Sequence, residues 1–236
     1  MDYDGTLTPI VDRPESANLS AEVKETIMAL DRSPFFKVSI VSGRSLSDIK
    51  SRVGISGLFY VGNHGLEIFH PNGKGVSFIP SKSQRALERL RREGLQDQID
   101  SLRGVFLEDK GAILAFHYRQ ATVSDQAALR SILLDVESRH FDTLELAFGK
   151  MVIEIRPRCT INKGTAVNYL RKEVGMGAFP LYIGDDTTDA EAFRVLKGEG
   201  LTIQVGQSEL PTMGDYYLRD PDEVLRFLQK LFGRVQ

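Results

Sequence analysis

The stretch KVSIVSGRSLSDIKSRV, residues 37–53, passes from a strand pattern to a helix pattern and indicates the fold class. Lys37–Val41 is a short β-rich apolar run, and apolar residues then recur at helical spacing from Leu46 to Val53. Between them, Ser42-Gly43-Arg44 follows the end of the strand directly before the helix. Strands and helices that alternate in this way are typical of a parallel sheet with crossover helices, so we predict an α/β protein.

The same alternation continues on both sides of this stretch. Ser20 is a good cap for a helix that carries Val23, Ile27 and Leu30 on one face, and Leu58–Val61 has the pattern of a buried strand. The pattern returns after Asn162, with predicted helices at 163–174, 189–196 and from Pro221 and predicted strands at 180–183 and 201–205. We therefore predict a Rossmann-like core of parallel strands, in which ligand sites form beyond the C-terminal strand ends.

The middle of the chain has a different pattern. A unit of one helix followed by two strands is predicted to occur twice. The first has its helix at 82–102 and its strands at 104–108 and 112–118, and the second has its helix at 124–139 and its strands at 144–148 and 151–156. This αββ-αββ order predicts a four-stranded, largely antiparallel sheet that carries two helices. We predict that 80–157 is an α+β domain inserted into a core domain formed by 1–79 and 158–236.

Composition limits the class of protein. The 236 residues contain 30 Lys and Arg against 32 Asp and Glu, a net charge of −2, which does not favour nucleic-acid binding. The sequence contains no apolar run of about 18 residues, and Met1-Asp2-Tyr3-Asp4 does not resemble a signal peptide, so we expect neither a membrane anchor nor a membrane partner. Because Cys159 is the single cysteine, the fold needs no internal disulfide, and we expect a cytoplasmic protein.

Two polar clusters in the first half of the chain are candidates for chemistry. In Asp2-Tyr3-Asp4-Gly5-Thr6, two carboxylates could bind Mg²⁺ and supply a nucleophile and an acid–base group, although Asp and Gly are also common in solvated turns. Ser42-Gly43-Arg44 could bind an anion at a helix N-terminus, although Ser42 or Ser45 could equally be a plain helix cap.

Two further clusters lie in the second half. Lys163 opens a helix, where the helix dipole disfavours a cation, so that a ligand or a carboxylate would have to compensate; a solvated surface lysine is the alternative. Asp185, Asp186 and Asp189 place three carboxylates within five positions at the end of a strand. So much negative charge is costly without a cation, which favours a divalent metal.

Taken in order, the four clusters resemble the signature of the aspartate-nucleophile phosphatases of the haloacid dehalogenase superfamily. The resemblance implies that Asp2 attacks phosphorus and that Asp4 is the acid–base residue, while Ser42 and Lys163 hold the phosphoryl group. It also implies that Asp2, the carbonyl of Asp4 and Asp185 bind Mg²⁺, and that Asp186 and Asp189 support the metal or position Lys163. The apolar strand that usually precedes the nucleophile is represented here by Met1 alone, and we expect the sequence to begin inside that strand.

Several phrases are similar to the trehalose-6-phosphate phosphatases. They are Gly62-Asn63-His64-Gly65-Leu66-Glu67, the region of Glu108, Lys110 and His117, and the run from Gly149 to Pro157. This family resemblance implies a sugar phosphate as the small-molecule partner and trehalose 6-phosphate as the substrate. The predicted substrate-binding residues are Gly43, Arg44, Glu108, Lys110, Lys150, Glu154 and Arg156.

The identity of the substrate and the function of the charged residues in the inserted sheet each have alternatives. Lys150, Glu154 and Arg156 alternate on one predicted strand face, where they could bind hydroxyl groups or form a ladder of surface ion pairs. The substrate could be another sugar phosphate, such as mannosyl-3-phosphoglycerate, sucrose 6-phosphate or a hexose phosphate. A catalytically silent module that binds phosphosugars is the alternative outside enzymes, but Asp2, Asp4, Lys163 and Asp185 are all present.

Overall fold

The computed structural model describes residues 1–11, 14–149, 151–175, 177–206 and 213–234. Its strands are β1 Ser39–Val41, β2 Phe59–Gly62, β3 Glu67–Phe69, β4 Gly75–Ser77, β5 Phe106–Asp109, β6 Leu114–His117, β7 Leu144–Gly149, β8 Val152–Pro157, β9 Leu181–Gly184, β10 Leu201–Val205 and β11 Tyr216–Leu218. Its α-helices are α1 Ala21–Arg32, α2 Leu46–Val53, α3 Ser81–Arg92, α4 Leu95–Asp100, α5 Val123–Arg139, α6 Lys163–Val174, α7 Ala190–Leu196 and α8 Pro221–Gly233. These elements form two compact units, unit 1 from Met1–Ser77 with Ile161–Gln236 and unit 2 from Phe78–Thr160.

Unit 1 contains two groups of strands that the first two residues of the chain connect. β1 pairs in parallel with β2, and β10 pairs in parallel with β9 and β11. The amide of Val41 donates to the carbonyl of Met1 at 2.9 Å, and the amide of Asp2 donates to the carbonyl of Ile183 at 2.8 Å. The backbone of Met1 and Asp2 therefore lies between β1 and β9 and joins the two groups of strands.

Capping side chains and buried apolar faces explain the helices of unit 1. The side chain of Ser20 accepts the amide of Val23 at the start of α1, and that of Ser45 accepts the amide of Asp48 at the start of α2. Apolar residues on one face of α1, α2 and α8 pack against strand residues in a common core, and burying each such side chain stabilises the fold by about 1.5–3 kcal/mol. Members of this core include Ile27, Leu30, Ile40, Ile49, Val53, Ile183, Ile203, Val224 and Leu228.

Unit 2 is built around an antiparallel sheet with the strand order β5-β6-β8-β7. Its own core joins apolar residues of α3, α4 and α5 to the inner face of this sheet, among them Leu87, Leu90, Ile99, Phe116, Leu129, Leu133, Ile153 and Ile155. The helix predicted over 82–102 is two helices in the structure. The break lies at Gly94, whose left-handed backbone, with φ of 76°, does not continue α3.

The sequence patterns missed three short strands in unit 1. β3 and β4 form an antiparallel hairpin beside β2, and β11 extends the other group of strands. Each has three residues, too few to give a clear period of two. Within the residues that the structure describes, no helix is long and apolar enough to cross a membrane.

Candidate active site

The segment that carries Asp2 and Asp4 is fixed by backbone and side-chain contacts within unit 1. Asp2 is 5% exposed, and the adjacent Tyr3 is fully buried, with its hydroxyl donating to the carbonyl of Ala17 at 2.8 Å. Gly5 has a φ of 80°, and a Cβ atom at this position would collide with the carboxylate of Asp185. A glycine is therefore required here both by the backbone conformation and by the close approach of Asp185.

Lys163 connects two of the predicted carboxylates. Its Nζ donates to Oδ1 of Asp2 and to Oδ1 of Asp189, each at 2.8 Å, and its side chain is 3% exposed. Asn162 forms a reciprocal capping box with Thr165 at the start of α6, which fixes the first turn from which Lys163 extends. The compensation expected for a lysine in a first helical turn is therefore supplied by two buried carboxylates.

Asp189 is fully buried, and both of its carboxylate oxygens accept hydrogen bonds. Tyr182 donates its hydroxyl to Oδ1 at 2.7 Å, and the amides of Asp185 and Asp186 donate to Oδ2 at 3.2 and 3.0 Å. Because Oδ1 also accepts Nζ of Lys163, Asp189 holds both the lysine and the turn after β9. Asp189 contacts Lys163 directly, and both functions predicted for it, positioning that lysine and supporting the metal, stay predictions.

Three carboxylates converge beside Lys163. Asp2, Asp185 and Asp189 each offer an oxygen, and these oxygens lie within 4.8 Å of one another. Thr6 donates its hydroxyl to Oδ1 of Asp185 at 3.1 Å, which orients that side chain. Such a set of oxygen ligands fits a hard divalent cation such as Mg²⁺.

Burial and like charge raise the pKa values of these acids. Burial raises the pKa of Asp2 well above its ordinary value, and Asp189 and Asp185 add to this effect, while only Lys163 opposes it. Burial, together with repulsion from Asp189, raises the pKa of Asp185 to about 6. Although burial would lower the pKa of Lys163, attraction by Asp2 and Asp189 raises it above its ordinary value. The lysine is therefore charged, and the raised pKa values of Asp2 and Asp185 indicate that this one ammonium group does not offset the burial and mutual repulsion of the acids.

Asp4 follows Asp2 by two residues and is held by Arg44. The guanidinium group donates from Nε to Oδ2 of Asp4 at 2.7 Å and from Nη2 to Oδ1 at 2.6 Å, a bidentate pair. Nη1 of Arg44 donates to Asp48 at 2.9 Å. We predicted that Arg44 binds substrate; the structure finds its donors engaged with Asp4 and Asp48, and substrate binding by Arg44 stays a prediction.

Ser42 and Gly43 form the turn between β1 and α2. Ser42 is 1% exposed, and its Oγ accepts a hydrogen bond from the amide of Arg44 at 3.1 Å. A Cβ atom on Gly43 would collide with the imidazole of His64. His64 and Asn63 have φ values of 57° and 49°, a left-handed conformation that is strained for residues other than glycine and that often marks functional sites.

Asp186 has a different environment from Asp185. Its Oδ1 accepts the amide and the hydroxyl of Thr187 at 2.6 and 3.1 Å, and its side chain caps the short turn that precedes α7. The set of converging oxygens within the described residues includes Asp189 and not Asp186. Direct binding of the metal by Asp186 stays a prediction.

The residues predicted to bind the sugar lie in unit 2, where the structure pairs them in different ways. Nζ of Lys110 donates to Oε1 of Glu154 at 2.8 Å, and both side chains are largely buried. Nε2 of His117 and Oε2 of Glu108, on neighbouring strands, are 2.9 Å apart. Arg156 lies directly opposite Glu145 and donates to it at 2.8 Å, which is the cross-strand ion pair of the charge-ladder alternative. Lys150 lies outside the described residues.

Sequence reasoning missed several contributors to the site in unit 1. Tyr182 was read as part of a buried strand, yet its hydroxyl binds Asp189; Thr6 binds Asp185, and Asp48 binds Arg44. The position of Tyr182 on β9, three residues before Asp185, was the only sequence signal for it. Partners of Asp4 could not be inferred, since Arg44 is 40 residues away.

Comparisons with known proteins find similar sequences and similar structures. The chain is 34% identical over 245 residues to the probable trehalose-phosphate phosphatase D of Arabidopsis thaliana, an alignment that covers 98% of this chain and 66%, just under two thirds, of that relative. The C-terminal domain of C. albicans trehalose-6-phosphate phosphatase superposes with a TM-score of 0.80 at 25% identity, over 98% of this chain and 90% of that chain.

A more distant structure supports the fold alone. A haloacid dehalogenase-like hydrolase from Bacteroides thetaiotaomicron superposes with a TM-score of 0.71 at 15% identity, over 98% of this chain and 97% of that chain. The prediction of a haloacid dehalogenase-like α/β fold is therefore confirmed. The trehalose-phosphatase family model matches residues 1–222. By this match, which extends over nearly all of the sequence, the chain belongs to the trehalose-phosphatase family.

Proposed function

We propose that this chain is a Mg²⁺-dependent phosphatase that hydrolyses trehalose 6-phosphate to trehalose and phosphate through an aspartyl phosphate on Asp2. The observation that carries the proposal is the buried carboxylate of Asp2, held at 2.8 Å by Lys163 and grouped with Asp185 and Asp189. A buried carboxylate fixed beside a cation is suited to attack a phosphoryl group whose negative charge that cation balances. Membership of the trehalose-phosphatase family supports the choice of substrate.

Asp2 is assigned the nucleophilic attack, and Asp4 is assigned the acid–base chemistry. An oxygen of Asp2 forms a bond to phosphorus, and the bond from phosphorus to the sugar oxygen breaks. Asp4 gives its proton to the departing sugar oxygen, and then takes a proton from the water that attacks the aspartyl phosphate and releases phosphate. Lys163 stays charged and offers donors to the phosphoryl oxygens, while buried Ser42 supplies a hydroxyl at the adjoining strand end.

Asp2, Asp185 and the backbone carbonyl of Asp4 are the residues proposed to hold Mg²⁺, with Asp189 supporting them. When bound, the ion would neutralise the excess negative charge of the carboxylates and of the substrate phosphate. The ligand atoms are all oxygens, which suits Mg²⁺. Lys163 contacts Asp2 and Asp189, and a bound cation would also stabilise the charge of Asp185.

Magnesium binding is expected to raise the unfolding temperature, without any need for an activity measurement. A ligand at 100 times its Kd stabilises a protein by about 2.7 kcal/mol, which corresponds to a shift of several degrees. Asp185→Asn should remove this shift, and should itself raise the unfolding temperature in chelator because it relieves repulsion from Asp189. Thermal scans with Mg²⁺ or with excess chelator test both statements. An unchanged Mg²⁺ shift in Asp185→Asn would exclude Asp185 as a ligand.

We further propose that unit 2, residues 78–160 in the structure and 80–157 in the sequence prediction, acts as the substrate-selecting domain. Its buried pair of Lys110 and Glu154 offers a cation and a carboxylate suited to sugar hydroxyl groups. Glu108, Lys150 and Arg156 stay proposals for the same function. Because Arg156 forms an ordinary cross-strand pair with Glu145, it has the weakest support of the set.

Replacing Glu154 tests this selection. Glu154→Gln should lower kcat/KM for trehalose 6-phosphate by about tenfold to a hundredfold, since a hydrogen bond to a charged group contributes roughly 1.5–3 kcal/mol. Hydrolysis of p-nitrophenyl phosphate, which carries no sugar, should change little. Glu93→Gln, which removes an exposed partner of Arg89 in the same unit, is the matched control and should leave both activities unchanged. Equal losses on both substrates would instead assign Glu154 a structural function.

The substrate itself is tested by phosphate release from a panel of phosphorylated sugars in Mg²⁺. Trehalose 6-phosphate should be preferred over sucrose 6-phosphate, mannosyl-3-phosphoglycerate and hexose phosphates. If one of those compounds were preferred, it would replace trehalose 6-phosphate as the proposed substrate, and the proposed function of Asp2 would stay the same. Binding without any turnover would favour a silent phosphosugar-binding module.

A further inference from the structure

Asp4 is the first member of a series of alternating charges along the start of α2. Arg44 binds Asp4 through Nε and Nη2 and binds Asp48 through Nη1 at 2.9 Å. Asp48 in turn accepts Nε of Arg52 on both carboxylate oxygens, at 2.9 and 2.8 Å. The side chains of Arg44 and Arg52 are only 11% and 14% exposed, so these contacts are shielded from solvent in part.

The far end of this series returns to the segment of the nucleophile. Nη1 of Arg52 donates to the carbonyl oxygens of Glu15 and Ala17 at 3.1 and 3.2 Å. The same Ala17 carbonyl accepts the hydroxyl of Tyr3 at 2.8 Å, and Tyr3 precedes Asp4 in the chain. The guanidinium of Arg44 also lies over the ring of Tyr3, 5.5 Å from its centre. These contacts form a closed circuit, Asp4, Arg44, Asp48, Arg52, Ala17 and Tyr3.

The proposed acid–base step requires the contact between Arg44 and Asp4 to change. Both oxygens of Asp4 accept hydrogen bonds from Arg44, whereas a proton transfer needs the proton-bearing oxygen to face the sugar oxygen instead of a guanidinium donor. Arg44 must therefore release one oxygen while it keeps the other oriented. A guanidinium group that moves in this way needs a second anchor, because an arginine side chain without one has many competing rotamers.

We propose that Asp48 is this anchor and is a positioning residue for the acid–base step. Asp48 holds Nη1 of Arg44, and Arg52 fixes Asp48, so that the guanidinium group turns about a defined point when Asp4 engages the substrate. The inference rests on the proposed function of Asp4. It assigns to α2 a function in orienting the proton donor, in addition to the turn of Ser42 and Gly43 that precedes it.

The test compares substrates whose leaving groups differ in their need for a proton. Asp48→Asn should lower kcat for trehalose 6-phosphate, an alkyl phosphate, by about 10- to 100-fold, because misplacing a catalytic group by about 1 Å costs on that order. KM should stay within about twofold, as the phosphate contacts are intact. With p-nitrophenyl phosphate, whose leaving group departs without a proton, the rate of nitrophenolate release in the first turnover should change less than about threefold. Asp48→Glu, which keeps the charge, should recover part of the loss.

A matched control in unit 2 has the same local pairing of an acid with an arginine. Asp135 pairs with Arg139 four residues later, as Asp48 does with Arg52, but both of those side chains are exposed. Asp135→Asn should leave both substrates unaffected. In Asp48→Asn, a first-turnover loss with p-nitrophenyl phosphate as large as the loss in kcat for trehalose 6-phosphate, or no loss on either substrate, would overturn the inference while the activity of the wild type still supported the proposed function. If the wild type released phosphate from neither substrate, the proposed function would fail first, and the inference with it.

Discussion

Asp2→Asn is expected to lower kcat for trehalose 6-phosphate by several orders of magnitude. The asparagine side chain keeps nearly the same volume but is a poor nucleophile, and no other acid in the described part of unit 1 has the contact with Lys163 that Asp2 has, apart from Asp189. Asp189 cannot replace it, because Tyr182 and two backbone amides occupy its oxygens. The covalent intermediate should therefore not form.

Two measurements make the result of Asp2→Asn specific. Trapping with hydroxylamine should detect an acyl phosphate in the wild type during turnover and none in the variant. The unfolding temperature in chelator should be unchanged or higher, because the substitution removes one of three converging negative charges while Lys163 keeps Asp189 as its partner. Turnover at the wild-type rate by a correctly folded Asp2→Asn protein would rule out Asp2 as the nucleophile.

Asp4→Asn is expected to lower kcat for trehalose 6-phosphate by about 10²- to 10⁴-fold, the usual contribution of general acid–base catalysis. The effect has two parts, since Asp4 is assigned both the protonation of the leaving group and the activation of water. With p-nitrophenyl phosphate the first part is not needed. The variant should therefore release about one equivalent of nitrophenolate per protein molecule and then slow down, as the aspartyl phosphate accumulates.

Rapid mixing with p-nitrophenyl phosphate measures this burst directly. Asp2→Asn is its control, because a protein without the nucleophile should show no burst. A steady rate from the first turnover in Asp4→Asn, equal to that of the wild type, would remove Asp4 from both steps. A slow first turnover would mean instead that the loss of the Asp4–Arg44 pair has disturbed the neighbouring nucleophile.

The order of strands and helices in unit 1 was predictable where local patterns are strong. Ser20 caps α1, and Asn162 precedes α6, because capping depends on the nearest few residues. The grouping of Asp2 with Asp185 also followed from the rule that parallel strands bring their C-terminal ends to one edge. The hairpin of β3 and β4 was missed, because each of its strands has only three residues, too few for a clear period of two.

Side-chain partners were much less predictable than strand ends. Lys163 could be identified as an unfavourable cation in the first turn of a helix. The sequence did not show that its ammonium group would donate to both Asp2 and Asp189. Arg44 was assigned to the substrate because it follows Ser42 and Gly43, whereas its donors meet Asp4 and Asp48. Which acid a cation reaches depends on rotamers and on distances within the fold, and periodicity carries no information about either.

The backbone of Met1 and Asp2, which lies between β1 and β9, has a consequence for the order of events during synthesis. Lys163 is 161 residues after Asp2, and Thr6 binds a residue 179 positions later. A ribosome that adds about 5–20 residues per second makes the early residues many seconds before their partners. Asp2, the proposed nucleophile, is thus made well before Lys163, the cation that it contacts in the fold. Catalysis would begin only after the last strands of the core have been made, which makes phosphate release a reporter of finished folding.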